Sequence, residues 1–364
     1  MSKAAELAAL IGSQSSLANR NLIINGDMAI AQRSTSKTGY AHDTSGGYHT
    51  IDRWAIDVGG STGGVVTLTQ DTDSTAPFPE AYKIACTTAD TSIAAGEYAI
   101  LSQALEGIDL SRIKKGNSDA KKLTVSFWCK ADAALTYGIS LRDDDNNRIC
   151  NSTFNVTTSW SRVSVTFPAD TNGEFLTHDN TQSMTLYFWL HAGSTYTGGT
   201  FSSLTWADTV WNTAVSSIGS IYASTSRTFY ITGVQMELGE VATPFEHESY
   251  ADNLRRCQRY WQQSYASGTV AGTATDVGQV IRFIDATQSY AGHWITFKEE
   301  MRAAPTGTIY NTSTGSSASI RDDNGNHTAA VGQASFHGMH CYVNNSSVGA
   351  SESLRVQYTA DAEL

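Results

Sequence analysis

One pattern dominates this chain: short runs rich in β-branched and aromatic residues, each closed by Gly, Asn, Asp, Ser or Thr. Residues 65–69, 81–86, 98–105 and 123–130 are such runs, and 137–142, 161–167, 184–191 and 228–238 continue the series. No helical period lies between them. A strand leaves its N–H and C=O groups to a neighbouring strand, so a chain built this way must form sheets. About nine strands between residues 21 and 248 predict an antiparallel β-sandwich of jelly-roll type. Trp128 and Trp189 fall inside strand runs and are expected in its core. Asp143-Asp-Asp-Asn-Asn147 sits between two runs and reads as an exposed hairpin turn.

The pattern changes at two places. Tyr250, Leu254, Cys257 and Trp261 are spaced 4, 3 and 4 apart. That is one helical stripe, and it predicts a linking helix over 249–264. Strands then resume at 279–284, 293–298, 306–310, 334–343 and 353–359, which predicts a smaller C-terminal β-sandwich domain over 265–364. At the other end, Ala4, Leu7, Ala8 and Ile11 share one helical face before Gly12. The segment 1–20 is therefore read as a short N-terminal docking or oligomerisation helix whose stripe needs a partner.

Composition narrows the function. Lys and Arg number 24 against 35 Asp and Glu, for a net charge of −11. A phosphate backbone or an anionic bilayer calls for the opposite sign, so neither nucleic acid nor membrane insertion is expected. The five cysteines have no C-x-x-C spacing. They read as isolated, mostly buried thiols of a protein made in a reducing cytoplasm, and no signal peptide is expected.

Several stretches together resemble phage tail-fibre or receptor-binding proteins that carry a carbohydrate-binding-module-like jelly roll. Asn21-Leu-Ile-Ile-Asn-Gly-Asp-Met28 resembles the opening of such a domain. Phe229-Tyr-Ile-Thr-Gly-Val-Gln-Met-Glu-Leu-Gly-Glu-Val-Ala-Thr-Pro-Phe-Glu246 resembles its closing strand and tail, and Arg255-Arg-Cys-Gln-Arg-Tyr260 the segment after it. Arg302-Ala-Ala-Pro-Thr306 and Tyr358-Thr-Ala-Asp-Ala-Glu-Leu364 are similar to fibre C-terminal domains. The resemblance implies a non-enzymatic virion subunit, a homotrimer, that binds host surface glycan and docks on other virion proteins through its N-terminal helix. A structural head or tail decoration and a polysaccharide depolymerase stand as alternatives.

Candidate sites follow. A sugar ring stacks its C–H face on an aromatic plane, with polar neighbours fixing its hydroxyls. Tyr196, Trp206, Trp211 and Tyr222 lie in Gly/Ser/Thr-rich, loop-like sequence between His191 and Arg227, where core packing explains them less easily. Exposure of Trp206 and Trp211 would favour adhesion; burial would favour a structural role. No cofactor is expected. The resemblance allows a structural calcium, for which Asn25, Asp27 and Glu237 match loosely, though Asn25-Gly-Asp27 is also a plain turn. His337 and His340, on one strand, would face opposite sides and hold no zinc. A glycosidase needs two flanking carboxylates. Asp143, Asp144 and Asp145 in an exposed turn lack an apolar wall, and Glu97, Glu106 and Glu174 stand unpaired in the sequence.

Overall fold

The structure is a computed structural model that describes residues 19–364 apart from 43–46, 61–62, 74, 176–177, 286, 288–290 and 344–347. The expected N-terminal helix lies outside the described residues.

The chain is nearly all-β. Among the described residues, twelve strands form two six-stranded sheets. The first runs β1 (Ser36–Tyr40), β3 (Val65–Asp71), β4 (Ala81–Thr88), β12 (Thr228–Leu238), β6 (Leu123–Ala131), β9 (Ser161–Phe167). The second runs β11 (Trp206–Asp208), β8 (Arg148–Val156), β7 (Leu135–Asp143), β10 (Gln182–Ala192), β5 (Tyr98–Glu106), β2 (Ala55–Gly59). All pairings between these strands are antiparallel. The last strand, β12, inserts between β4 and β6, so the order is that of a jelly roll and not of a simple meander.

Period-two alternation buries one face of each sheet against the other. Phe127, Phe154, Phe188 and Phe229 meet there, and Phe127 stands edge-on to Phe188 with ring centroids 5.0 Å apart. All five cysteines are buried, free thiols.

The helix after the sandwich is shorter than its apolar stripe suggests. It spans Tyr250–Gln258 (α2; a four-residue turn of helix, Ser194–Thr197, is α1) and is capped by the Ser249 hydroxyl, which accepts from the Asp252 N–H. Trp261–Gln263 is instead a strand, β13, paired with the final strand β20 (Ser353–Asp361). Trp261 continued the helical spacing, but tertiary pairing with β20 outweighed it.

β20 organises the C-terminal strands. It pairs with β13, β14 (Val280–Phe283), β16 (Thr306–Tyr310) and β17 (Ser319–Arg321). β18 (Asn326–Ser335), β19 (Gly338–Val343) and β15 (Gly292–Thr296) complete an eight-stranded sheet around a second core that includes Ile309, Met339, Leu354 and Tyr358. The expected strand 334–343 is a hairpin turning at Phe336 and His337, so His337 lies off the strand that carries His340.

The two parts meet along a polar seam. Arg33 and Arg53 both bind Glu363, the Arg53 guanidinium lies 3.5 Å from the Tyr260 ring centroid, and Arg33 lies 4.0 Å from that of Trp261. Among the described residues no helix is long and apolar enough to cross a membrane.

Candidate functional site

Alternation in the second sheet sends Ile56, Val58, Leu101, Leu186, Phe188, Ile139 and Leu141 into the core. Their neighbours must therefore face outward. The register aligns these outward residues in rungs across the sheet. One rung is Asp57, Ile100, Trp189 and Gly138; the next is Ala55, Ser102, Tyr187 and Ser140; a third is Ala104, Thr185 and Arg142. Aromatic, hydroxyl and charged groups share this face, and the loop after β10 walls one side of it.

That loop is drawn down onto the sheet. Gly138 permits it: a Cβ there would stand 2.3 Å from Val215 Cγ1. Tyr196 packs 5.4 Å from Trp189 and stands edge-on to Tyr98, also at 5.4 Å. Trp211 lies 6.3 Å from Trp189 with the Arg142 guanidinium 5.2 Å from its ring. The Trp189 indole N–H donates to Ser140 Oγ at 3.1 Å, which fixes the ring the others lean on.

The result is a groove made of two adjoining cavities. One, of about 390 Å³, is lined by Tyr48, Asp57, Ser102, Thr185, Tyr187, Asp361 and Glu363, among others. The other, of about 360 Å³, is lined by Asp57, Tyr98, Arg142, Tyr187, Trp189, Tyr196 and Trp211, among others. Asp57 and Tyr187 belong to both.

The groove is acidic. Burial raises the Asp57 pKa, and no hydrogen-bond donor or cation among the described residues partners its side chain. Burial also raises Asp144, against the Thr185 hydroxyl at 2.7 Å and the Arg142 guanidinium at 2.9 Å. Asp361, at the opposite end, is raised by burial as well. Tyr187 rises through burial and the nearby charge of Asp144.

No protein-family profile matches this chain, and no curated protein matches it. Solved structures with a similar outline are carbohydrate-binding modules. One described as CBM4 shares 13% identity over 59% of this chain and 98% of its own, with a TM-score of 0.31. A TmCBM61 structure in complex with beta-1,4-galactotriose shares 10% over 61% of this chain and 100% of its own, at 0.28. The CBM22-1 xylan-binding domain of Paenibacillus barcinonensis Xyn10C shares 12% over 58% and 100%, at 0.26. Similarity at this level leaves the role of the groove to rest on its own chemistry.

Of the four aromatic residues expected to contact sugar, two reach the groove: Tyr196 and Trp211, the latter 37% exposed. Trp206 instead lies on β11, half-buried against the sandwich core, its indole N–H donating to the Pro168 carbonyl at 2.8 Å. Tyr222 is 0% exposed and packs against His191, so its ring offers no face to a ligand. Trp128 is half-buried, because β6 turns it away from the core. Trp189 is fully buried, though beneath the loop on the outer face and not between the sheets. Asp57, Tyr98, Tyr187 and Arg142 were missed. Their signal was alternation within strands: Tyr98 and Ile100, and Tyr187 and Trp189, stand two apart.

Asn25, Asp27 and Glu237 spend oxygens on the protein. Asn25 Oδ1 accepts from the Ile30 N–H, and its amide donates to the Ile30 and Asp52 carbonyls. Asp27 accepts from Asn253. Glu237 accepts from Gln235 and from the N–H and hydroxyl of Thr243. Among the described residues no group of three or more His, Cys, Asp or Glu is placed to hold a metal.

The acidic turn differs from expectation. Asp143 is 0% exposed and bound to Lys115, so it is no surface carboxylate. Glu97 meets His191 at 3.3 Å, and Glu106 accepts two bonds from Arg259 at 3.0 and 2.7 Å. Glu174 is exposed. None of these acids lines the groove.

Proposed function

We propose that the chain binds a linear saccharide along the outer face of its second sheet. One observation carries this: a groove whose one cavity gathers Tyr98, Tyr187, Tyr196 and Trp211 with Asp57 and Arg142, and whose adjoining cavity is lined by Ser102 and Thr185 beside the shared Asp57 and Tyr187. Rings supply stacking surfaces for a sugar, and the polar side chains beside them supply acceptors and donors for hydroxyls along the groove. Strands hold the floor rigidly, so little ordering entropy is lost on binding. The reading includes no catalytic step.

Calorimetric titration of the full chain with oligosaccharides tests it. Trp211→Ala is expected to weaken binding roughly tenfold, the scale of one lost aromatic stack. Trp206→Ala is expected to leave affinity within about twofold while lowering stability by about 3–5 kcal/mol. Equal affinity of the wild type and Trp211→Ala for a bound sugar would remove the groove from the reading.

The finer proposal, an attachment subunit of a virion acting as a homotrimer, is supported by the resemblance of 229–246 and 250–260 to tail-fibre sequences. Several weak sites on one particle would then gain strength by multivalency. Native mass measurement tests the trimer; a mass of one chain overturns it.

A further inference from the structure

We infer that the sugar taken by this groove carries an ammonium group, so that the preferred ligand is an amino-sugar oligomer with free amines. This rests on the saccharide reading and adds its charge.

The observation is a carboxylate in the groove that no cation among the described residues neutralises. Glu363 is neutralised by Arg33 and Arg53, and Asp144 by Arg142 at 2.9 Å. Arg142 is thereby committed, with its guanidinium also laid over Trp211. Asp361 accepts the Glu363 N–H at 3.0 Å and has no cation within ion-pair distance among the described residues. Asp57 has neither a cation nor a hydrogen-bond donor there. It occupies the point the two cavities share, in the rung that also holds Trp189.

A half-buried carboxylate without a partner is costly to the folded chain, and a ligand cation is the group that offsets this cost best. The surrounding rings point the same way. Tyr98, Tyr187, Tyr196 and Trp211 line the cavity that holds Asp57, and the charge of Asp57 reaches Tyr98, whose phenol pKa is raised by burial and then by that carboxylate. Aromatic faces attract ammonium groups through their quadrupoles, and several faces around one carboxylate form a cage for a cation. An amino sugar satisfies both needs: its ring stacks while its ammonium meets Asp57. A neutral sugar meets only the first, and a uronic acid is repelled by Asp57 and Asp361.

The test titrates the full chain, in mildly acidic buffer where the amines carry protons, with three oligomers of equal length: glucosamine, N-acetylglucosamine and galacturonate. The glucosamine oligomer is expected to bind about tenfold more tightly than its acetylated form, with the galacturonate oligomer weakest. Asp57→Asn is nearly isosteric, and its fold is checked by thermal unfolding. It is expected to weaken the glucosamine oligomer about tenfold more than the acetylated one, which removes the preference. Equal binding of the first two in the wild type overturns the inference and leaves the groove reading standing. So does a preference that survives Asp57→Asn, or a uniform loss across all three. Tightest binding of galacturonate overturns it too. If none of the three binds, both readings fall together.

Discussion

Replacing Arg53 by Ala is expected to lower the unfolding free energy by about 3–5 kcal/mol, the usual cost of breaking one side of a buried ion pair. Arg53 is 1% exposed. Its guanidinium binds Glu363, donates to the Ala104 carbonyl at 2.6 Å and stacks on Tyr260. Removing it leaves the Glu363 carboxylate with Arg33 alone and strips a carbonyl of its donor. The backbone shows how much the seam asks of this residue: φ at Arg53 is +71°, a left-handed conformation that costs a non-glycine residue roughly 1–2 kcal/mol. Arg53→Gly is therefore expected to be about 1 kcal/mol less damaging than Arg53→Ala, since it loses the same contacts and relieves the strain. Denaturant unfolding of both variants checks the ranking, and a double-mutant cycle with Glu363→Gln isolates the pair. Equal stability of Arg53→Ala and the wild type would mean that the seam bears no load. The consequence for binding is direct, because Glu363 and Leu364 line the end of the groove. Loosening the seam should weaken saccharide binding even though Arg53 itself is out of reach.

The strand pattern made the sandwich legible in the sequence because periodicity is local: 65–69, 123–130 and 228–238 each reveal their buried face within a few residues. The same rule overreached at Trp261. It kept the helical spacing of Leu254 and Cys257, yet it sits on a strand held by β20, about a hundred residues away in the chain. Half of the groove was legible for a related reason. Tyr196 and Trp211 stood out as aromatics in polar sequence. Tyr222, in the same kind of sequence, is buried because Gly64 leaves room for its ring, with a Cβ there only 2.2 Å away. Asp57, Tyr98 and Tyr187 come from three strands that only the sheet register brings side by side, and register is not written in any single run.

The acidic turn gives the sharpest test of what burial does to a sequence that looks exposed. Lys115→Met is expected to destabilise the chain by about 3–5 kcal/mol, lowering the apparent unfolding midpoint by on the order of 10 °C. Lys115 Nζ lies in a pocket of oxygen atoms: Asp143, Asp170 at 3.2 Å, and the carbonyls of Asn172 at 2.9 Å and Gly173 at 2.6 Å. Lys115 and Asp143 are 1% and 0% exposed, so neither charge has water to fall back on. Burial alone would raise the Asp170 pKa, but two bonds from Arg148, the Asn172 N–H and Lys115 outweigh it and hold that carboxyl below its ordinary value. A depressed carboxylate pKa stabilises the fold above the ordinary Asp value and stops doing so as pH falls through the depressed one, so the cluster should weaken at the acid end. Methionine keeps the length of the side chain and removes the charge, leaving Asp143 with Asn146 as its remaining side-chain partner among the described residues. The neighbouring Lys114, 51% exposed and 3.6 Å from Asp119, is the internal comparison: Lys114→Ala should cost less than about 0.5 kcal/mol. A second substitution separates a lost attraction from a stranded charge. If stranding dominates, Asp143→Asn in the Lys115→Met background should recover stability that the same change costs in the wild type. A Lys115→Met chain within about 1 kcal/mol of the wild type would show that water reaches Asp143, and the turn would be the solvated one its sequence suggests.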